Sequence, residues 1–404
     1  MDNLEQAQGL DSTHFEVAIV GGGMVGAAAA LGLAKQGKRV VMFETHHPKA
    51  FAPEQAIDLR VSALSMASVS LLRELGAWQY IEAMRLCPYR ELHTWEQPDN
   101  KLRFSAEQLG LPELGFMLEN RVVQLGLWQA CEQAGVTVAV GDAPQLVANN
   151  ALENKDQQVE LHWQEQSITA ELLVVADGGE SKMREALGIG ISAWDYRQRC
   201  FAINIQLDAE QQDITWQQFT PSGPRALLPL AEQHAALIWY DSATTTKRLQ
   251  ALSDAQLKQA IIDNFPPLPG DFTIIARAAF PLRRRHALSY HKGCAVVIGD
   301  AAHTINPLAG QGVNLGYRDV ATLLTILAAQ DSLRAPGATL KAFQAKRMPD
   351  NLLMQGAMDA FYLGFSNDIA PLKMLRGLGL KAAQNSGKLK DWALRYALGM
   401  PGSN

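Results

Sequence analysis

Hydrophobic and polar positions at the start of the chain follow a strand–helix–strand order. Phe15–Val20 is mostly apolar and predicts a buried strand, Gly26–Gln36 has an alanine-rich helical pattern, and Arg39–Phe43 predicts a second strand. Val17–Ala34 has no charge over 18 residues, the lower limit for a membrane span. Its five glycines and its division into two patterns favour a buried strand, turn and helix instead. The sequence therefore predicts a β-α-β opening with a parallel sheet.

The middle of the chain has a different periodicity. From about Trp194 to Phe280, stretches such as Cys200–Leu207 alternate apolar and polar residues, which predicts an antiparallel sheet with one wet face. After about Leu340 the pattern is helical. The fold is thus predicted to be α/β in its first domain and α+β overall. The predicted parts are a discontinuous α/β domain of residues 15–190 and 281–340, an inserted β-sheet domain of 191–280 with part of 84–118, and a helical segment, 341–404.

Composition and charge narrow the class of partner. The 404 residues are 48% hydrophobic and 19% charged, as in an ordinary globular protein of two domains. A net charge of -5 argues against a nucleic-acid partner, which requires a basic face. Residues 371–404 hold six basic residues and one acid, which suggests an anionic surface or partner for this segment. The four cysteines form no CxxC pair and no metal-ligand cluster is evident, so a reducing compartment and no metal are expected.

The first chemical motif is a glycine fingerprint. Gly21, Gly23 and Gly26 have GxGxxG spacing directly after the first predicted strand and at the start of the helix. The first glycine permits a tight turn, the second lets a pyrophosphate approach the backbone, and the third lets helix and strand pack closely. Glu44 ends the second strand, where an acid can accept hydrogen bonds from a ribose. The motif predicts a dinucleotide site and does not separate NAD from FAD.

A second motif, Asp177-Gly178, follows the apolar run Glu171–Val175. With Ser181 and Arg184 after it, two interpretations are open. The acid can serve a ligand, or the segment is ordinary helix-start chemistry with Ser181 as N-cap.

The third motif begins at Gly299-Asp300, after the apolar run Ala295–Ile298. Asp300 is placed to hold a ribityl or ribose hydroxyl. Gly310 and Gly312 are predicted to present backbone N–H groups at the mouth of the following helix. If a flavin ring lies there, the helix N-terminus would stabilise its anionic reduced form.

Three other polar residues near these motifs are less specific. Asn314 is predicted to reach the pyrimidine edge of a flavin. His303, a lone loop histidine, is interpreted as a structural hydrogen-bonding residue rather than a proton carrier. Arg60, in Arg60-Val-Ser-Ala63, fits a contact with phosphate or ring and fits a solvated surface position equally well.

Together the three motifs, in this order, resemble the single-component FAD-dependent aromatic hydroxylases, which have the para-hydroxybenzoate hydroxylase fold. Within that family, Arg60–Ala63 and His303–Asn314 are typical of the ubiquinone-biosynthesis hydroxylases, and the likeness covers all but about the first dozen residues. The resemblance adds Pro307 to the cofactor site. In one departure, Asn120 stands where many members have an arginine that touches the flavin. The cofactor contact is therefore predicted for Asn120, and a flavin role is not assigned to Arg121.

The resemblance implies a Rossmann-like FAD-binding domain, an antiparallel substrate domain, and NAD(P)H as a transient reductant. It implies ring hydroxylation of 2-polyprenyl-3-methyl-6-methoxy-1,4-benzoquinol with O₂, through a flavin C4a-hydroperoxide. Two alternatives stay open: a sister enzyme of the same pathway that acts at another ring position, and a non-catalytic FAD-bearing scaffold of the biosynthetic complex. The sequence assigns no catalytic base.

The long isoprenoid tail of such a substrate implies a cytoplasmic protein close to the membrane and to other proteins of the pathway. Leu372, Met374, Leu375 and Leu378 alternate with Lys373, Arg376 and Lys381 in a pattern that fits a membrane-surface helix. A helix packed on the body of the protein with a solvated basic side fits equally well.

Overall fold

A computed structural model describes residues 10–147, 158–306, 310, 312–330, 332–365, 376–377, 379–380 and 382–400, with the main chain alone at 389 and 397. The strands, in chain order, are β1 His14–Val20, β2 Val40–Glu44, β3 Val61–Ser65, β4 Cys87–Tyr89, β5 Glu91–Trp95, β6 Leu102–Ser105, β7 Gly115–Glu119, β8 Thr137–Val140, β9 Gln145–Leu146, β10 Val159–Trp163, β11 Gln166–Val175, β12 Ile191–Asp208, β13 Ile214–Gln218, β14 Arg225–Pro229, β15 His234–Ser242, β16 Asp271–Ala287, β17 His291–Lys292, β18 Ala295–Val297 and β19 His303–Thr304. The helices are α1 Met24–Lys35, α2 Met66–Glu74, α3 Trp78–Glu82, α4 Asn120–Gln133, α5 Lys182–Ala186, α6 Ala243–Gln250, α7 Asp254–Asn264, α8 Gly312–Ala328, α9 Gly337–Phe365 and α10 Lys388–Ala397.

The first sheet is parallel through its centre. Its strand order is β17-β18-β11-β1-β2-β8, with β10 paired to β11 and β9 to β10. The strands β18, β11, β1, β2 and β8 run parallel to one another. Val17–Val20 is fully buried because both faces of a parallel sheet are covered by helices. The predicted β-α-β opening is confirmed, and the uncharged stretch Val17–Ala34 is divided between β1 and α1.

Small residues let α1 lie close to the elements around it. Ala27–Ala30 are all buried. A Cβ on Gly32 would lie 2.3 Å from a methyl group of Leu324 on α8, and one on Gly316 would lie 2.5 Å from Val25 of α1. The glycines therefore allow α1 and α8 to pack against each other next to the carboxyl edge of the sheet.

The second sheet carries the alternating sequence, as predicted. Its order is β19-β16-β12-β15-β14-β13-β5-β6, and its pairs are antiparallel except for β13 with β5. One face packs on α6 and α7 through Phe201, Ile203, Leu237 and Ile261. The strand β16 continues past Phe280 to Ala287, where it pairs with the start of β12.

A third sheet has the order β3-β7-β4, and both of its strand pairs are antiparallel. The long helix α9 and the helix α10 agree with the helical pattern predicted after Leu340. Among the helices that the structure describes, none is both long and apolar enough to cross a membrane. Most of the predicted amphipathic face at 372–381 lies outside the described residues.

Candidate active site

The glycine fingerprint forms a turn that other residue types would disrupt. Gly21 has φ +103°, and a Cβ there would lie 2.4 Å from the carbonyl oxygen of Ala176 at the end of β11. A Cβ on Gly26 would lie 1.9 Å from the carbonyl oxygen of Gly21. The first and third glycines therefore bring β1, α1 and β11 together, as the motif predicts.

The second glycine faces open space. Gly23 is the N-cap of α1, and no heavy atom of the described residues lies within 4 Å of a Cβ built on it. The N-terminus of α1 has no side-chain cap and no acidic residue in its first turn. This combination leaves backbone N–H groups and the positive end of the helix available to an anionic group such as a pyrophosphate.

Side chains from α4 and β2 hold this turn in place. The indole Nε1 of Trp128 and the amide Nε2 of Gln124 donate to the carbonyl oxygen of Gly22 at 2.7 and 2.9 Å. Glu44 accepts from the N–H of Gly22 at 2.8 Å and of Thr45 at 2.7 Å. Glu44 therefore lies against the loop, and its predicted contact with a ribose stays a prediction. The sequence interpretation missed Gln124 and Trp128, although their spacing of four places them on one face of α4.

The predicted residues Arg60 and Asn120 are neighbours in space. The carbonyl oxygen of Arg60 accepts from the N–H of Asn120 at 2.9 Å, and Ser62 donates to the side-chain oxygen of Asn120 at 2.6 Å. The side chain of Arg60 is exposed. The Nε of Arg121, a buried atom, has no hydrogen-bond partner among the described residues. Arg121 is on the same face of α4 as Gln124, so this donor is one turn from the glycine loop.

One carboxylate oxygen of Asp177 takes part in the start of α5, and the other is left without a partner among the described residues. Its Oδ2 accepts from the N–H of Met183 at 3.2 Å, and Ser181 caps the same helix by accepting from Arg184 at 2.9 Å. The Oδ1 of Asp177 is buried and finds no donor in the described part of the chain. Because a buried acceptor without a donor is costly, this atom fits a ligand hydroxyl or amide.

The second and third motifs are in direct contact. Arg184 donates to the carbonyl oxygens of Ala301 at 2.9 Å and Gly179 at 3.4 Å. Val175 pairs with Val297, and Val20 pairs with Val175, so the three motifs follow the carboxyl ends of adjacent parallel strands. This edge of an open α/β sheet is where such folds bind nucleotides.

Asp300 lies in a short 3₁₀ turn, Gly299–Ala301, immediately after β18. Its side chain is accessible to solvent, yet desolvation by the surrounding protein raises the pKa of its carboxyl group, with a smaller opposing effect from His303. Asp300 is thus exposed at the carboxyl end of β18, and its contact with a ribityl chain stays a prediction.

His303 has the structural role that the sequence suggested. Its ring is completely buried, and its Nε2 lies 2.5 Å from Oδ2 of Asp319. Burial would raise the pKa of Asp319, but the interactions with His303 and Arg347 outweigh it and lower the pKa to about 2.

The glycines at the start of α8 lie next to β3. Gly310 has φ +60°, and a Cβ on it would lie 3.2 Å from Cβ of Ala63, whereas a Cβ on Gly312 would have no heavy atom of the described residues within 4 Å. Asn314 is buried and donates to the carbonyl oxygens of Ala63 and Gly310 at 2.9 and 3.2 Å. Its oxygen accepts from Ser65 and Ser68. Asn314 thus positions the loop, and its direct contact with a pyrimidine edge stays a prediction. Pro307 lies outside the described residues.

Comparison with known proteins agrees with this geometry. The FAD binding domain family model FAD_binding_3 matches residues 14–353. The 3-demethoxyubiquinol 3-hydroxylase of Escherichia coli K12 is 49% identical over 389 residues, which are 95% of this chain and 98% of that protein. The ubiquinone hydroxylase UbiL of Rhodospirillum rubrum is 31% identical over 388 residues, 95% and 89% of the two chains.

The chain belongs to this family of FAD-dependent hydroxylases. It is an FAD-dependent monooxygenase, and membership of the ubiquinone-biosynthesis branch implies a quinol substrate and O₂. The resemblance predicted from the motifs is therefore confirmed. Among solved structures, the p-nitrophenol 4-monooxygenase PnpA of Pseudomonas putida DLL-E4 superimposes with a TM-score of 0.77 over 97% of this chain and 100% of that one, at 17% identity. That similarity confirms the predicted fold class.

The residues at the carboxyl edge of the first sheet fit FAD. The open space at Gly23 suits a pyrophosphate, and the buried Oδ1 of Asp177 and Nε of Arg121 are an acceptor and a donor without protein partners in the described structure. The turn of Asp300 and the helix mouth at Gly312 are also open toward a ligand. NAD(P)H as the reductant is typical of the family.

Proposed function

We propose that this protein hydroxylates the ring of 2-polyprenyl-3-methyl-6-methoxy-1,4-benzoquinol in ubiquinone biosynthesis. The observation that carries the proposal is the 49% identity to the E. coli 3-demethoxyubiquinol 3-hydroxylase over 95% of the chain. An identity that covers all three sheets bears on the substrate as well as on the cofactor, since the glycine motifs alone are shared by hydroxylases with many substrates.

We propose that the predicted residues contact different parts of FAD. The pyrophosphate would lie against Gly23 and the N-terminus of α1, with the ribose toward Glu44. The ribityl chain would meet Asp300, and the ring would lie at Gly310 and Gly312. When bound, FAD supplies the redox chemistry, because it accepts electrons from NAD(P)H and activates O₂ for transfer to the substrate ring.

The substrate ring is proposed to lie next to Tyr240 of the second sheet and Asn306, which follows β19. Tyr240 on β15 donates to Oδ1 of Asn306 at 3.4 Å, and both residues are 1% exposed. Asn306 directly precedes the predicted cofactor residue Pro307. Apolar neighbours of Tyr240, including Leu282 and Met358, would help to exclude water from the substrate ring.

The phenols in this region would act as hydrogen-bond donors. Burial raises the pKa of Tyr240 well above its ordinary value. Burial, followed by the hydrogen bond to Asp359, also raises the pKa of Tyr196 on β12. Both side chains therefore stay protonated at neutral pH, so neither is proposed as a general base. An electron-rich quinol ring needs little help from a base, and that role is left unassigned.

Nicotinamide binding is proposed to be transient. The sequence has one GxGxxG after a strand, whereas reductases with a dedicated nicotinamide domain have a second such fold. The Asp177-Gly178 segment, with Arg184 beside it, is the proposed contact for both FAD and NAD(P)H.

Membrane contact through the C-terminal segment is a separate part of the proposal. Of its predicted basic residues, Arg376 donates to Glu96 at 2.5 and 3.1 Å, and its guanidinium lies over the ring of Phe365. This cation is therefore engaged with the protein body. Liposome flotation of the full chain and of a chain that ends near residue 370 would test the contact, and equal recovery would remove it from the proposal.

The decisive experiment is mass analysis of the quinones in a strain from which the gene is deleted. The proposal expects the demethoxy quinone to accumulate, and a plasmid with the wild-type gene to remove it. Accumulation of a different intermediate would assign the protein to another ring position, as in a sister enzyme of the pathway. A plasmid with the Gly23→Ala gene is the matched control. An enzyme that needs FAD should then fail to restore the product, whereas a non-catalytic scaffold would still restore it.

A further inference from the structure

A buried carboxylate outside the predicted cofactor residues holds the turn that carries Asp300. Asp319 on α8 is 0% exposed. Its Oδ2 accepts from the N–H of Gly299 at 3.0 Å and lies 2.5 Å from Nε2 of His303. These two donors stand on either side of Asp300 in the sequence. One carboxylate oxygen therefore fixes both ends of the segment 299–303.

The other oxygen of Asp319 is held by α9. Its Oδ1 accepts from Nε of Arg347 at 2.8 Å and from Nδ2 of Asn351 at 3.2 Å. Arg347 is 5% exposed and also donates to Asn351 at 2.7 Å and to Asp350 at 2.5 Å. The acceptor capacity of Asp319 is thus shared between the cofactor turn and a helix that follows it in the sequence.

We infer that Asp319 and Arg347 are positioning residues for FAD, because they hold Asp300 through Gly299 and His303. The inference rests on the contact proposed between Asp300 and the cofactor. Removal of Arg347 leaves the carboxylate of Asp319 buried without its cation. The carboxylate of Asp319 then becomes protonated or is reached by water. In either case its Oδ2 is no longer held in place as the partner of Gly299 and His303. Affinity for FAD falls because the free protein must order the turn when it binds.

The test measures FAD release on dilution of the holoenzyme, through recovery of flavin fluorescence, in the wild type and in Arg347→Met. We expect the variant to bind FAD about tenfold or more weakly, as the loss of a buried charged hydrogen bond allows. Hydrogen exchange of a peptide covering 299–304 should become faster in the variant. If Arg347→Met does not fold, Arg347→Lys and Asn351→Ala remove single hydrogen bonds from the same carboxylate and should weaken FAD binding by smaller factors.

The control is Arg225→Met. Arg225 is also buried and paired to an aspartate, Asp241 at 3.2 Å, in the second sheet. The Arg225→Met variant should have a lower melting temperature than the wild type, with less than about a twofold change in FAD affinity. Equal weakening by both variants would show a general loss of stability and overturn the inference, as would unchanged FAD affinity in Arg347→Met and Asn351→Ala.

One further variant separates the two roles. If Asp300→Ala leaves FAD affinity unchanged, the contact of Asp300 with the cofactor is wrong, and the positioning role falls with it. If Asp300→Ala weakens binding but the variants at 347 and 351 do not, the positioning role alone is wrong. None of these measurements uses the quinol, so they are independent of the proposed ring position.

Discussion

The indole N–H of Trp128 donates to the carbonyl oxygen of Gly22 at 2.7 Å. This bond joins α4 to the middle of the glycine turn, and Gln124 donates to the same oxygen. A residue in a helix about a hundred positions later in the sequence thus shapes the loop that is proposed to receive the pyrophosphate.

Trp128→Phe should therefore weaken the glycine turn without emptying the core. Phenylalanine keeps most of the apolar contact but removes one donor, which should lower the free energy of unfolding by about 1 kcal/mol. We expect a larger effect, about 2 kcal/mol, in Trp128→Phe combined with Gln124→Ala, because the carbonyl of Gly22 then has neither donor. Urea unfolding of the FAD-free protein measures both. A double variant as stable as the wild type would contradict this role.

Alanine at the second and third glycines of the fingerprint should have different effects. A methyl group at Gly23 meets open space, so Gly23→Ala should fold and lose FAD. A methyl group at Gly26 would lie 1.9 Å from the carbonyl oxygen of Gly21, so Gly26→Ala should not fold normally. Circular dichroism and the flavin absorption of the purified variants distinguish the outcomes. Normal FAD content in Gly23→Ala would show that the pyrophosphate lies elsewhere.

Substitutions of Asp177 should separate its helix-capping role from its ligand role. Asp177→Asn keeps an oxygen that can accept from Met183, so its melting temperature should stay close to that of the wild type. Its FAD content should fall, since the second, unpartnered oxygen becomes an amide nitrogen. Asp177→Ala should lose FAD and also about 1 kcal/mol of stability. Thermal unfolding and flavin absorption give the two readouts, and full FAD retention in Asp177→Asn would leave capping as the role.

The buried histidine His286 should make the stability depend on pH. Burial, and then the charge of nearby His303, lower the pKa of His286 from 6.5 to about 4. The unfolded chain therefore binds this proton at a higher pH than the folded protein. The stability contributed by neutral His286 is present above pH 6.5 and is lost as the pH falls toward 4.

His286→Gln tests this dependence, because glutamine does not titrate and can still bond to Gln355, the partner of His286 at 2.9 Å. We expect the free energy of unfolding of the wild type to fall more steeply than that of the variant between pH 6.5 and about 4. Urea unfolding at several pH values measures the slopes. Parallel slopes would mean that other groups cause the dependence.

Much of the site follows from local sequence. Gly21 has a positive φ, and a side chain on Gly26 would meet the carbonyl oxygen of Gly21, only five residues earlier. Apolar runs that end in an acid or a glycine marked the ends of β1, β11 and β18, where the three motifs lie. The order of these motifs was enough to predict the family and the fold class.

Only the tertiary structure decided which residues support that site. Trp128 and Gln124 reach Gly22 across more than a hundred residues, and Arg347 reaches Asp319 from another helix. Asn314, predicted to face a flavin, has its amide bonded to Ala63 and Gly310. The residue types of a motif and their spacing indicate which interactions the side chains can make. Which partner it meets depends on the packing of distant elements, and in this protein that packing brings a helix of the C-terminal segment to the turn of Asp300.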